Sequence, residues 1–196
     1  MRSSSRLRVL FAGGGTGGHL FPGLEVARAL VEATSGAAEC VFWGTGRPAE
    51  KRAFEGTPFA HDALPAAPWR GVNRLPGFVW GTFGALRAAR RRVKALAPDI
   101  VVGLGGYASA APAASAALGG TPLFVLEQNA VPGRANRLLS RIARAVFVPW
   151  AAAARHFPAG ARVEAAGNPV RKAVLEPVGD ARAELGLSRE KRTLLV

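Results

Sequence analysis

The sequence predicts an α/β fold in which helices cover both faces of a parallel sheet. Short, continuous apolar runs recur along the chain, as in strands that are buried on both faces. Stretches with helical spacing of apolar residues separate these runs, and a glycine-rich turn joins the first run to the first helix. The predicted strands are residues 7–12, 40–45, 59–64, 99–104, 122–127 and 144–149. We therefore expect a doubly wound, Rossmann-like sheet, with ligands at the carboxyl ends of its strands.

Residues 11–23, FAGGGTGGHLFPG, form the glycine-rich turn that follows the first predicted strand. Glycines allow positive φ and let a ligand approach the main chain. The unpaired amides at the start of the following helix attract anions. The turn therefore predicts a site for a phosphate or another anionic group, with the imidazole of His19 directly behind it.

Two familiar phosphate-binding motifs do not fit this turn. Gly13, Gly15 and Gly18 match the spacing G-x-G-x-x-G, but the second predicted strand ends in Gly-Thr and not in the acidic residue that would hold a ribose. Gly18 is followed by His19, whereas a P-loop requires a lysine there. Neither a nicotinamide or flavin role nor a P-loop is expected.

Two more predicted strands are followed by loops that carry functional side chains. The sequence GGYAS, residues 105–109, opens a helix after the fourth predicted strand, and EQN, residues 127–129, follows the fifth. Each residue also has a structural interpretation: Tyr107 as a half-buried aromatic, Glu127 as a helix cap and Asn129 as a turn former. Because these loops and the glycine turn follow parallel strands, the combination favours one binding crevice.

The overall composition favours a polyanionic partner. The 196 residues include 26 basic and 13 acidic ones, which gives a net charge of +13 and a pI of about 11.6. Nucleic acid, anionic lipid and pyrophosphate all suit such a charge, which also accompanies an arginine-rich composition without any function. The sequence shows no recognition-helix motif and no interleaving of aromatic with basic residues, so we expect no nucleic-acid partner.

The apolar content points to peripheral contact with a membrane at most. Hydrophobic residues make up 49% of the chain and the mean hydropathy is +0.14. No apolar run reaches the roughly 18 residues of a spanning helix. The short apolar run near the amino terminus resembles a first strand more than a secretory signal, so we expect the protein to stay in the cytosolic compartment. Cys40, the single cysteine, is expected to pack in the core.

A basic and apolar segment, residues 70–94, is a candidate membrane-docking surface. It begins in a loop rich in proline and glycine, residues 65–77, and continues into a helix. Arginines on the helix would attract anionic headgroups while apolar side chains insert, although those apolar side chains would also suit a core. The inserting side chains would be Val72, Leu75, Phe78, Val79, Trp80 and Phe83, and the basic ones are Arg70, Arg74, Arg87, Arg90, Arg91, Arg92 and Lys94.

The order of the motifs GGGTGGHLFPG, GLGGYASAAP, LEQNAVPGRANRLLSR and GNPVR closely resembles the bacterial MurG family. The resemblance covers residues 7–171 and implies the amino-terminal half of a GT-B glycosyltransferase. It implies transfer of N-acetylglucosamine from UDP-GlcNAc to the C4 hydroxyl of lipid I, undecaprenyl-pyrophosphoryl-MurNAc-pentapeptide, which forms lipid II in peptidoglycan synthesis. Cell-wall growth, cell shape and division, and a peripheral position on the cytoplasmic side of the plasma membrane, are implied with it.

The resemblance also implies roles for individual residues. His19 matches the residue often taken as general base, a role that suits an imidazole with a pKa near neutrality. The matched donor-binding positions are Thr16, Gly17, Gly18, Asn129 and Arg171. The matched acceptor-binding positions are Gly14, Gly15, Gly105, Gly106, Tyr107, Glu127 and Gln128. Leu126 stands where the family often has histidine, which leaves open whether a further catalytic group is absent or a packing side chain has changed.

The implied mechanism is an inverting displacement that needs no metal and no cofactor, and the sequence contains no Asp-x-Asp motif. We expect residues 1–176 to form the acceptor-binding domain. Residues 177–196 are predicted to be a linker, a short helix and, from Thr193, the first strand of a donor-binding domain. The 196 residues alone are then expected to be inactive, because such chemistry needs both domains to close. The alternative is a non-catalytic, membrane-associated subunit that binds the acceptor for a separate catalytic partner.

Overall fold

A computed structural model describes residues 6–64, 75–176 and 179–194. Strands and helices alternate along these residues, as expected from the alternation of buried runs with helical spacing. The strands are β1 (Leu7–Gly13), β2 (Ala38–Gly44), β3 (Ala60–Ala63), β4 (Ile100–Gly105), β5 (Leu123–Leu126), β6 (Ala145–Val148) and β7 (Val163–Ala165). The α-helices are α1 (Gly17–Ala33), α2 (Pro48–Phe54), α3 (Leu75–Leu96), α4 (Tyr107–Leu118), α5 (Arg134–Leu139), α6 (Lys172–Leu175) and α7 (Ala181–Glu184), and Ala151–His156 form a 3-10 helix.

The strands form one parallel sheet in the order β3-β2-β1-β4-β5-β6-β7. The doubly wound α/β fold predicted from the sequence is confirmed, and each of the predicted strands is present. The strand β7 was not predicted, because it has only three residues and the charged Glu164 at its centre. The strand order reverses beside β1, so the loops after β1 and β4 diverge and leave a crevice at this edge of the sheet.

Each face of the sheet has its own apolar core. Along β1, Leu10 and Ala12 pack on one face, while Val9 and Phe11 pack on the other. All four are fully buried, as the continuous apolar run predicts. On the second face the ring of Phe11 stacks on that of its register partner Phe42, with centroids 4.6 Å apart. These contacts fix the ends of β1 and β2, from which two functional loops emerge.

Cys40 lies in the second core, and burial raises the pKa of its thiol to about 11. The thiol therefore stays protonated near neutral pH and is not a nucleophile. This confirms the expectation that Cys40 is a packing residue.

The helix α3 begins at Leu75, so the loop predicted over residues 65–77 is too long at its carboxyl end. A proline in the first turn of a helix costs little, because that turn's amides have no partner within the helix. Farther along, Ala89 and Val93 are buried while Arg87 and Lys94 are exposed, so this part of the helix has a core-facing and a solvent-facing side. Of the residues proposed to insert into a membrane, Val72 lies outside the described residues, and at positions 75–83 the structure describes the helical backbone alone.

Arg92 has a different environment from the other arginines of α3. Its guanidinium pairs with the carboxylate of Asp62, donates to the carbonyl of Ala63 at 2.9 Å and lies 5.1 Å from the ring centroid of Trp43. It is therefore engaged with β2 and β3, which argues against a headgroup-binding role for this arginine.

The final described residues contain the short helix α7, where a short helix was predicted. The strand predicted from Thr193 is not found at Thr193 or Leu194, and residues 195–196 lie outside the described part. Among the described residues, no helix combines the length and the apolarity that crossing a membrane requires.

Candidate active site

The glycine turn places the first turn of α1 at the mouth of the crevice. Thr16 precedes the helix in extended conformation, with φ −142° and ψ 152°, but its hydroxyl makes no capping hydrogen bond. A threonine at this position ordinarily caps the helix by accepting from one of the first amides. Within the described residues, the amides of Gly17 and Gly18 also have no hydrogen-bond partner. The turn therefore offers a hydroxyl and unpaired N–H groups to a ligand.

His19 stands behind these amides and is oriented by Gln128. Its Nδ1 lies 3.0 Å from Gln128 Oε1, while Gln128 Nε2 donates to the carbonyl of Leu126 at 3.2 Å. Because the amide nitrogen of Gln128 donates to a carbonyl, its oxygen faces the imidazole and accepts a hydrogen bond from it. Nδ1 of a neutral His19 therefore carries the hydrogen, and Nε2 keeps a lone pair with which to accept one.

The loop after β4 makes room for this imidazole. Gly105 has φ +99°, and a Cβ added there would lie 3.2 Å from His19 Cε1 and 3.1 Å from Asn136 Nδ2. The next residue, Gly106, has φ +75°, and its added Cβ would lie 2.9 Å from the carbonyl oxygen of Gly14. Both glycines, and with them Gly14, thus allow the loops after β1 and β4 to approach each other closely.

Tyr107 lies at the outer rim of the crevice. It is the first residue of α4, its side chain is 38% exposed, and its hydroxyl lies 3.4 Å from Nη2 of Arg47 in the loop after β2. A phenol and a guanidinium at the same rim can both donate hydrogen bonds to an incoming ligand.

Glu127 is buried beneath the loop after β5. One carboxylate oxygen accepts from the backbone and side-chain nitrogens of Asn129 at 2.9 and 2.8 Å. The other accepts from the backbone nitrogen of Gly133 and from Asn136 Nδ2, both at 3.0 Å. Its side chain is 1% exposed. Glu127 therefore holds this loop in shape, and it does not line the open crevice as the sequence led us to expect.

The segment that carries GNPVR lies beside the same loops. Asn168 Nδ2 is 3.5 Å from the carbonyl oxygen of Gln128, and the guanidinium carbon of Arg171 is 5.0 Å from the ring centroid of Phe21 in the first turns of α1. Arg171 and Asn129 are both exposed. Two of the predicted donor-binding residues are thus exposed, Asn129 on the loop after β5 and Arg171 against the start of α1.

Two buried polar residues of the site were missed from the sequence. Glu50 accepts hydrogen bonds beneath the glycine turn, and Asn136 joins Glu127 to the carbonyl of Leu126. Glu50 resembles an ordinary acidic residue in the first turn of a helix, and Asn136 an ordinary polar residue of α5. Their only signal was position, since each follows a strand-end loop by a few residues.

The fold and this site together define a doubly wound α/β domain with its functional loops at the topological switch point. Residues 9–148 match the glycosyltransferase family 28 N-terminal domain. The chain belongs to that family.

Relatives and a solved structure confirm the resemblance to MurG. A protein of Symbiobacterium thermophilum named UDP-N-acetylglucosamine–N-acetylmuramyl-(pentapeptide) pyrophosphoryl-undecaprenol N-acetylglucosamine transferase is 43% identical over 97% of this chain and 51% of its own length. A Pelobacter propionicus protein of the same name is 40% identical over 88% of this chain and 46% of its own. The crystal structure of MurG from Acinetobacter baumannii superposes with a TM-score of 0.66 at 30% identity, covering 85% of this chain and 47% of that one. The chain thus spans about half the length of the relatives it matches and has the fold of the amino-terminal half of a GT-B glycosyltransferase.

Proposed function

We propose that this chain is the acceptor-binding half of an inverting glycosyltransferase that moves N-acetylglucosamine from UDP-GlcNAc to the C4 hydroxyl of lipid I. One observation carries the proposal. His19 has its Nδ1 tied to Gln128 at 3.0 Å and its Nε2 available, directly behind a helix start with unpaired amides. That arrangement joins a base to an anion-binding turn, which is what transfer from a sugar pyrophosphate requires.

In the proposed step, Nε2 of His19 removes the proton from the C4 hydroxyl of the muramyl sugar. The hydroxyl oxygen attacks the anomeric carbon of N-acetylglucosamine from the face opposite UDP. The bond between that carbon and the UDP oxygen breaks, and UDP leaves with the electron pair. The new bond has inverted configuration, and His19 keeps the proton until it passes to solvent.

Amide groups and a guanidinium would stabilise the charge that develops on UDP. The amides of Gly17 and Gly18 and the hydroxyl of Thr16 face the crevice at the positive end of α1. Arg171 and Asn129 are exposed at the adjacent edge, where a donor would lie. Because no Asp-x-Asp motif occurs in the sequence, we assign this task to the protein's own groups, without a metal or a cofactor.

On the acceptor side, we propose a direct contact from Tyr107. Gln128 is buried and its amide is engaged with His19 and Leu126, so it would serve the acceptor by orienting the imidazole. Glycines 14, 105 and 106 would serve the acceptor by keeping the loops close together, and Glu127 by fixing the loop that carries Gln128. We further propose that residues 70–94 bind the cytoplasmic face of the plasma membrane, because a lipid-linked acceptor must be reached there. The exposed Arg87, Arg91 and Lys94 support this proposal.

The proposal is tested with a fusion enzyme. This chain is fused to the carboxyl-terminal half of the Symbiobacterium thermophilum relative, and transfer of radiolabelled N-acetylglucosamine to a soluble lipid I analogue is measured. We expect turnover by the fusion and none by the 196 residues alone. A fusion that binds the analogue without transferring sugar would support the non-catalytic subunit instead, and one that neither binds nor transfers would refute both.

A further inference from the structure

The most deeply buried carboxylate beside the crevice is not used by the proposed reaction. Glu50 lies in the first turn of α2 with 0% of its surface exposed. Its Oε2 accepts from the amides of Thr45 and Gly46 at 2.8 and 2.7 Å, and its Oε1 accepts from the hydroxyl of Thr45 at 2.6 Å. Oε1 also accepts from the amide of Gly15, in the glycine turn. One carboxylate thus joins the loop after β2 to the loop after β1.

The surrounding backbone leaves space for this carboxylate. A Cβ added to Gly14 would lie 2.5 Å from Oε1, and one added to Gly44 would lie 2.6 Å from Oε2. A side chain at either position would displace Glu50. Glycines at the ends of two adjacent strands therefore allow a charged group to occupy the space between the two turns.

The charge of Glu50 is held mainly by hydrogen-bond donors. Among the described residues, the one basic group near it is His61, whose Nε2 lies 3.4 Å from Oε2 and whose ring stacks on Phe54. Burying a carboxylate costs free energy unless hydrogen-bond donors of the protein replace the water that it loses. An arrangement that collects the amides of Gly15, Thr45 and Gly46 around one carboxylate meets that requirement.

We propose that Glu50 is a positioning residue that divides the glycine turn into an inward and an outward part. This inference rests on the proposed function. The amide of Gly15 points inward and is occupied by the carboxylate, which would also repel an anion placed over it. The amides of Gly17 and Gly18, two and three residues farther on, are left to face the crevice. The pyrophosphate is then bound by the first turn of α1, and not by Gly15.

The first test uses the unsubstituted chain and does not depend on activity. Amide hydrogen exchange and ¹⁵N spectra are recorded with and without UDP-GlcNAc or inorganic pyrophosphate. We expect the Gly15 amide to exchange on the order of 100-fold more slowly than that of Gly18. Either probe should shift the Gly17 and Gly18 resonances more than that of Gly15. An unprotected Gly15 amide, or one that responds most to the probes, would overturn the inference.

The second test uses Glu50→Gln in the fusion enzyme. Gln keeps the shape but has one acceptor oxygen, and its NH₂ group would face the donors that the carboxylate now accepts from. We expect kcat/KM to fall by about 100-fold, as for a site displaced by an ångström. Glu39→Gln, on the partly exposed side of β2, is the matched control and should leave kcat/KM unchanged. Val146→Ala, in the first core, controls for lost stability alone.

The outcomes separate the two proposals. A folded Glu50→Gln variant with unchanged kcat/KM, or one no slower than Val146→Ala, would refute the positioning role. Absence of transfer by the unsubstituted fusion would instead refute the proposed function, and the exchange of the Gly15 amide would still report on Glu50. If Glu50→Gln does not fold, Thr45→Val removes the hydroxyl donor alone, and it should accelerate Gly15 exchange several-fold. Unchanged exchange in Thr45→Val would count against the inference.

Discussion

Alanine substitution at two glycines with similar positive φ angles can show whether the glycine turn contributes to ligand binding or only to the stability of the fold. Gly15, in the glycine turn, has φ +96°, and Gly36, after the end of α1, has φ +84°. A Cβ added to either residue meets no atom within 4 Å. Alanine at either position is therefore strained by its backbone alone, and clashes do not contribute. Only at Gly15 would the new methyl group enter the crevice.

The expected loss of stability is small and nearly equal for the two variants. A left-handed conformation costs alanine about 1–2 kcal/mol relative to glycine. The lower entropy of the unfolded chain offsets about 0.4–1 kcal/mol of this. The net loss is about 1 kcal/mol, which lowers the Tm of a domain of this size by roughly 2–4 °C. Differential scanning calorimetry of the two variants measures it.

Ligand binding should distinguish them. In the fusion enzyme we expect Gly15→Ala to raise KM about 10-fold, which corresponds to about 1.4 kcal/mol. The methyl group narrows the space over the first turn of α1, where the pyrophosphate is proposed to lie. Gly36→Ala should leave KM unchanged. If both variants show the same KM, or if Gly15→Ala loses stability without any change in KM, the glycine turn does not contact the substrate and the reasoning fails.

The remaining predictions concern the base, its orientation, the buried carboxylate and the membrane. His19→Ala should lower kcat by about 10²–10⁴-fold with the Tm unchanged, and a smaller loss in steady-state assays would exclude it as the base. Gln128→Ala should lower kcat by less than His19→Ala does, because the imidazole loses its orientation but can still accept a proton. A loss of kcat as large as that of His19→Ala would contradict this expectation. Burial tends to raise the pKa of Glu50, but hydrogen bonds from Thr45, Gly46 and Gly15 outweigh it and hold the pKa below its ordinary value of 4.5. The ionised group therefore stabilises the fold above pH 4.5, so urea titrations should show a constant difference from Glu50→Gln above about pH 5 that shrinks on acidification. Liposome co-sedimentation should increase with anionic lipid, decrease with salt and fall in Phe78→Ser/Trp80→Ser, and equal binding to neutral vesicles would refute membrane docking.

The sheet was predictable because its strands are buried on both faces. Continuous apolar runs such as that of β1 have few alternatives in a chain of this length, so the strands and the fold class could be predicted, whereas the strand order came from the structure. The sequence predictions failed where the local residue pattern is compatible with two kinds of structure. The strand β7 is short and carries Glu164, so its pattern resembles a loop. At the start of α3, Pro76 and Gly77 resemble a turn, although the first turn of a helix accommodates a proline.

The candidate site was predictable only in part. Groups on the strand-end loops could be placed together, since parallel strands bring their carboxyl ends to one edge of the sheet. The direction of a side chain could not be deduced in the same way. Glu127 follows its strand directly and yet turns inward, and Glu50 lies on a helix whose first turn ordinarily exposes its acids to solvent. Each of these two carboxylates turns inward because loop amides donate hydrogen bonds to it. Those loops are either distant in sequence or have a conformation that the sequence does not predict.

Glu50 and Glu127 solve the same physical problem on either side of the crevice. A tight loop after a strand leaves backbone amides without partners, and burying them unpaired is costly. Each carboxylate accepts hydrogen bonds from such amides on the buried side of a loop. Glu50 does this for the loops after β1 and β2, and Glu127 for the loop after β5. The loops are thereby fixed before any ligand arrives, so binding need not order them. The amides that remain unpaired, at the start of α1, are then the ones to which an incoming pyrophosphate can bind.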